Sequence, residues 1–199
     1  HQGHDALEVV HVALQDLPVV FALDRAGIVG DDGPTHNGVF DLSFMSLVPN
    51  MIVTAPKDEV ELRDLLYTAF RQDKAPFSIR YPRGSGQGII RSQRFRELEI
   101  GSWEMLEQGT DVALLAVGTL VHPALWARKL LTRDGISAGV FNCRFVKPMD
   151  VRMLEHVLSH YETVVTLEEN VLHGGFGSQV SLYAAGRENP AGRILHMGI

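Results

Sequence analysis

A single cysteine, Cys143, is all the thiol chemistry that this chain of 199 residues offers. That excludes an internal disulfide, a thiolate metal cluster and a Cys-based redox pair, and it fits a reducing, cytoplasmic setting. Its surroundings, "FNCRF", read as a strand end, where a thiol packs as a small hydrophobe. Long apolar runs are missing as well. None approaches the roughly 20 residues needed to cross a bilayer, so no membrane partner is expected. Basic tracts are absent too. With 18 Lys and Arg against 24 Asp and Glu the net charge is −6, which argues against a nucleic-acid partner and an anionic membrane surface. The chain opens at His1 with neither Met nor a basic-then-apolar leader, and it reads as part of a longer protein.

What is present is the composition of a packed globular chain, 45% hydrophobic and 21% charged. Segments rich in Val, Ile, Leu and Phe alternate with helical patterns, the rhythm of βαβ units on a parallel sheet. "DALEVVHVALQD" (5–16) predicts a helix. "PVVFALD" (18–24) predicts a strand covered on both faces, as its continuous apolar run suggests. "NMIVTAP" (50–56) is a second strand. "PKDEVELRDLLYTAFRQDK" then opens on Pro, has acidic residues in its first turn and carries apolar residues at helical spacing. "PFSIRY" (76–81) is a third strand.

From Gly84 to about Thr110 the composition shifts to Gly, Ser, Gln and charge, with "EIGSWEML" as its best strand; this reads as a linker. Beyond it come a strand in "DVALLAVG", a helix at 121–133, one strand in "SAGVFNCRFV", a helix in "MDVRMLEHVLSHY", a strand in "TVVTLEEN", a helix in "GSQVSLYAAGRE" and a last strand in "GRILHMG". The expected fold is α/β with two domains, each a largely parallel sheet flanked by helices. The divisions are 1–84, a linker at 85–110, and 111–199.

Loops at the carboxyl ends of parallel strands are where open α/β sheets hold ligands. "DRAGIVGDDGPTHNG" (24–38) occupies such a place. Its Arg25 can form a two-pronged pair with a phosphate or carboxylate. Imidazole takes up and releases a proton near neutral pH, which makes His36 the candidate for proton movement. At the next strand end, "IRYPRG" places Arg83 in a turn, free to face the same crevice as Arg25. Two guanidinium groups there would clamp a phosphate. The plainer alternative, a turn-rich connection whose aspartates cap their own amides and whose arginines pair with nearby carboxylates, stays open on the residues alone.

"LEENVLHGGFGS" matches neither the dinucleotide-binding spacing nor the P-loop, and reads as a tight strand-to-helix turn with Glu168 and Glu169 structural. His122, His156, His160, His173 and His196 are taken as scattered, and no metal is assigned to them.

Taken in order, "DRAGIVGDDGPTHNGVFDLSF", "PKDEVELRDLLYTAF", "IRYPRG", "RFVKPMD" and "EENVLHGGFGS" resemble the 1-deoxy-D-xylulose-5-phosphate synthases, a branch of the thiamine-diphosphate-dependent transketolase-like family. Transketolase itself shares only the "DGPTH" flavour. The beta subunits of 2-oxo-acid dehydrogenases share the architecture but lack the "DRAGIVG" block.

The resemblance implies a homodimeric, Mg2+-requiring transferase of isoprenoid and thiamine biosynthesis. It decarboxylates pyruvate on thiamine diphosphate and joins the product to D-glyceraldehyde 3-phosphate, the first step of the non-mevalonate route. By the same resemblance Arg25 and Arg83 hold the acceptor's phosphate, while Asp32 and His36 contact its hydroxyls and assist proton movement. The family's "GDG" metal motif and its coenzyme-activating glutamate have no match here, so both cofactors are expected to be held chiefly outside this chain, which alone should not turn over. The alternatives are a subunit of a split transketolase or 2-oxo-acid dehydrogenase, and a non-catalytic dimerisation module.

Overall fold

The computed structural model describes residues 2–30, 33, 35–86, 88, 94–188 and 192–199. Six helices lie among them: α1 (Gln2–Leu14), α2 (Asp41–Leu47), α3 (Glu59–Arg71), α4 (Val121–Arg133), α5 (Val151–His160) and α6 (Phe176–Ala185). Two have an aspartate as N-cap. Asp58 accepts a hydrogen bond from the Glu61 amide at 2.8 Å to start α3, and Asp150 accepts from the Met153 amide at 3.0 Å to start α5. Each cap is worth about 1 kcal/mol. The second oxygen of Asp150 also accepts from the Trp103 amide at 2.9 Å, tying the linker to α5.

The strands form two sheets. In the first, β1 (Val20–Leu23), β3 (Phe77–Arg80) and β2 (Ile52–Thr54) run parallel in that spatial order, and β7 (Phe145–Lys147) closes the far side antiparallel to β2. The second has the order β4 (Glu104–Glu107), β6 (Ala138–Asn142), β5 (Val112–Ala116), β8 (Thr163–Leu167) and β9 (Arg193–Met197); β4 is antiparallel to β6 and the other pairings are parallel. The fold class expected from the sequence is the one found.

Two local readings change. "SAGVFNCRFV" is not one strand but β6 and β7, one in each sheet. Only Cys143 and Arg144 separate the two strands, so the sequence hides the break. The strand at 18–24 is not covered on both faces: Ala22 is exposed and its neighbours are half-buried, because β1 is the outermost strand of its sheet. The doubly covered strands of this sheet are β3 and β2, each buried at every position. The strand expected in "EIGSWEML" is present as β4, which joins the second sheet.

One apolar core serves both sheets. Phe77 packs edge-on against Phe145, and Trp103 edge-on against Phe176. The Trp103 indole donates to the Phe145 carbonyl at 2.8 Å, so its buried N–H has a partner. Cys143 sits in this core, where burial and the charge of Asp150 push its pKa well up, and the thiol is inert packing.

A second join between the sheets is ionic. Lys57 donates to Glu61 and to Glu104, each at 3.1 Å, and Asn142 donates to Glu61 at 2.7 Å. Burial alone would raise the pKa of Glu104, but Lys57, Asn142 and Arg144 outweigh it and hold the carboxyl below its ordinary value of 4.5. Burial likewise opposes the charge on Lys57, yet Glu61 and Glu104 hold its pKa above 10.5.

A carboxyl depressed by folding contributes stability above its unfolded pKa and loses it as pH falls through the folded one; a raised lysine contributes until pH climbs through its own folded value. Glu104→Gln is therefore expected to flatten the acid limb of stability, read as urea midpoints from about pH 7 to about pH 3. An unchanged acid slope would remove Glu104 from this role.

Candidate active site

β1 and β3 are neighbours in parallel register, with Leu23 opposite Arg80. The loops that follow them therefore leave the same sheet edge side by side, and the Ala26 amide donates to the Tyr81 carbonyl at 3.1 Å just beyond the strands. Arg25 sits in the first loop and Arg83 in the second. The return of the first loop is stitched to its start: Gly27 N donates to Gly38 O at 2.9 Å, and Gly38 N to Arg25 O at 3.0 Å. Those ties bring the segment carrying His36 back over the Arg25 turn.

Arg25 itself has φ of +58°, in the left-handed region, at a cost of about 1–2 kcal/mol for a residue with a side chain. Backbone bonds on both sides hold it there, so the turn is set before any ligand arrives. Gly27, with φ of +76°, answers a second demand. A Cβ at this position would overlap the Glu169 carboxyl group, which accepts a hydrogen bond from the Ile28 amide at 3.1 Å.

The side chains stand as follows. Arg25 is half-exposed, with Nη1 at 3.0 Å from the Asp24 carboxylate. Arg83 is exposed in the turn after Pro82. The exposed His36 has Nδ1 at 3.0 Å from the Thr35 hydroxyl. Asp32 lies outside the described residues. A cleft of about 300 Å3 opens beside this group, lined by Pro56, Lys57, Tyr81, Pro82, Gly84 and Thr119 among others. It borders Arg83 through the residues on either side of it, while Arg25 and His36 line no part of it.

Beneath the loops lies a set of residues to which the sequence alone assigns no part in placing them. Arg80, 5% exposed, donates to the Gly38 carbonyl at 2.5 Å and the Glu169 carbonyl at 2.6 Å, with the Asp41 carboxylate at 3.4 Å. Asn170, fully buried, accepts from the Leu42 amide at 3.2 Å and donates to the Ser43 hydroxyl at 2.9 Å. Ser43 in turn donates to the His173 carbonyl at 2.9 Å. The strand-to-helix turn after β8 thus grips both ends of the segment from Arg25 to Ser43.

Adjacent glutamates split between two tasks. Glu169 faces Ile28, whereas Glu168 turns the other way and accepts from the Phe176 and Gly177 amides, both at 2.8 Å, at the start of α6. The anion held by that glycine-rich turn is the chain's own carboxylate. Gly175 is required there because a Cβ would strike Glu168. Burial pushes the Glu168 pKa up, and the two amides and Arg80 offset only part of it.

A two-sheet α/β frame with a loop cluster at parallel strand ends defines the class, and comparison with known proteins supplies the family. Residues 6–87 match the model of the transketolase pyrimidine binding domain, and residues 101–199 that of the transketolase C-terminal domain. The chain belongs to the transketolase family.

The 1-deoxy-D-xylulose-5-phosphate synthase of Aquifex aeolicus (strain VF5) is 54% identical over 193 residues, 96% of this chain and 30% of that protein. 1-Deoxy-D-xylulose-5-phosphate synthase 1 of Geobacter sulfurreducens (strain ATCC 51573 / DSM 12127 / PCA) is 51% identical over the same shares. The chain thus spans under a third of the length of these curated relatives. Among solved structures, one described as "Split gene transketolase, inactive beta4 tetramer" superposes with a TM-score of 0.85 at 31% identity, covering 98% of this chain and 62% of that one.

Proposed function

We propose that this chain supplies the acceptor-phosphate side of a 1-deoxy-D-xylulose-5-phosphate synthase, the enzyme that joins pyruvate, with loss of CO2, to D-glyceraldehyde 3-phosphate. The observation that carries the reading is the exit of two arginine-bearing loops from adjacent parallel strand ends, with the His36 segment tied back over the first. In this role Arg25 and Arg83 bind the phosphate of D-glyceraldehyde 3-phosphate. His36 and Asp32 meet the hydroxyls of the acceptor or intermediate, and His36 holds the proton that moves.

Thiamine diphosphate supplies the electron sink for decarboxylation when bound. Among the described residues no group of three or more His, Cys, Asp or Glu could hold its Mg2+, so the donors present do not fit the metal and no step is derived through it. We assign coenzyme and metal chiefly to a part of the assembled enzyme other than these residues, and expect a homodimer. Among the described residues no helix is long and apolar enough to cross a membrane.

Arg83→Ala in the complete enzyme tests the assignment. Loss of a charge-assisted pair is worth about 1.5–3 kcal/mol, so the KM for D-glyceraldehyde 3-phosphate should rise roughly 10- to 150-fold. The KM for pyruvate should hardly move. Equal losses for both substrates would overturn the phosphate role.

The split-gene transketolase neighbour supports one second reading, in which this chain is a subunit completing an enzyme with a separate polypeptide. Intact mass spectrometry separates the two: a co-purifying chain bearing a "GDG" motif favours the second.

A further inference from the structure

On a linear count His156 and His160 look unrelated to any ligand set, but a helix turns a spacing of four into adjacency. On α5 their ring centroids lie 4.2 Å apart with the planes tilted by 34°, and both residues are exposed. We propose that this pair is a two-imidazole chelating site for a late first-row divalent cation, with Cu2+ and Ni2+ bound ahead of Zn2+.

The tautomer is already the one a metal needs. Nδ1 of His160 lies 2.7 Å from the His156 carbonyl oxygen, which can only accept, so the proton sits on Nδ1. Nε2 of the neutral ring then offers a lone pair. An N–H anchored on a backbone carbonyl is the arrangement that orients metal-binding histidines generally. Two bonds of about 2.05 Å meeting at a right angle put the ligating nitrogens about 2.9 Å apart. With the ring planes only 34° apart the lone pairs do not yet converge, so the exposed His156 ring must swing about its side-chain bonds to bring a nitrogen to a cation held by His160, whose own ring is anchored on the backbone.

The surrounding charge is compatible. Both residues lie toward the carboxyl end of α5, and His160 is its last residue, where unpaired carbonyls favour a cation. Two positive side chains on and against α5 are engaged elsewhere: Arg187 with Glu155 at 2.9 Å and Arg152 with Glu99 at 3.3 Å. Glu155 is committed to Arg187 and Tyr183 and adds no ligand. The remaining coordination positions fall to water or an added ligand. Such an open nitrogen pair follows the usual order of affinities among divalent ions, rising to Cu2+.

Calorimetric titration of the protein with Cu2+, read beside the electron paramagnetic resonance spectrum of the bound ion, tests the site. His156→Ala and His160→Ala are compared with His11→Ala, since His1, His4 and His11 supply other imidazoles. Losing one arm of a chelate weakens binding on the order of 100-fold. The tightest site should weaken by about that factor in either α5 variant and stay intact in His11→Ala, while nitrogen splitting falls from two imidazoles to one. A tightest site that keeps its affinity in both α5 variants, or loses it in His11→Ala instead, overturns the proposal. Both side chains are exposed, and melting without metal verifies that the variants fold.

Discussion

Replacing Arg80 with alanine is expected to cost about 3–5 kcal/mol of folding free energy, the usual range for breaking a buried ionic contact by removing one partner. The guanidinium serves three acceptors at once: the carbonyls of Gly38 and Glu169 and the carboxylate of Asp41. Without it two carbonyls lose their donor. Asp41 loses the positive charge that counters its own burial, which already raises its pKa. The consequence reaches beyond stability, because Gly38 closes the Arg25 loop and Glu169 braces the Gly27 turn. Denaturant midpoints measure the loss. Lysine at the same position should recover little of it, since one ammonium cannot serve both the two carbonyls that accept from Nη2 and the Asp41 carboxylate that faces Nε. A cost under about 1 kcal/mol, or full rescue by Arg80→Lys, would show that the clamp is not what holds these loops.

His36→Ala should act in the opposite way, sparing the fold and damaging turnover. The ring is exposed and its hydrogen bond is to its neighbour Thr35, so little packing is lost. Proton transfer by a positioned side chain contributes roughly 10²- to 10⁴-fold. In the complete synthase kcat is therefore expected to drop by about that factor, while the KM values for pyruvate and D-glyceraldehyde 3-phosphate change far less. Steady-state kinetics on a variant of unchanged melting temperature decides it. An unaffected kcat would remove His36 from proton movement and leave it at most a binding contact.

Most of the frame was legible because its signals are local. Asp58 and the acidic turn after it announce α3, and the strand-end positions of Arg25 and Arg83 follow from "FALDR" and "IRYPRG" without any tertiary knowledge. Elsewhere the determinants lie far apart along the chain. Nothing near Arg80 says that it is buried, since its partners at Gly38 and Glu169 are set only by folding. Nor does the stretch through Cys143 reveal that it feeds two different sheets. The short α2, "DLSFMSL", has no capping side chain, and its start depends on Asn170, 128 positions away, accepting from the Leu42 amide. Four-residue spacing of His156 and His160 was visible from the outset, but only a helix gives it meaning.

The placement of β7 bears on how this chain can be cut. A piece beginning at residue 101, where the second family match starts, would carry off a strand that belongs to its neighbour's sheet. The remainder would keep β2 with raw amides and carbonyls along one flank, inviting intermolecular pairing and precipitation. Excision at the homology boundary would yield two damaged parts rather than two modules, and because Phe145–Lys147 falls in sequence between β6 and β8 of the second sheet, no single cut leaves both sheets whole.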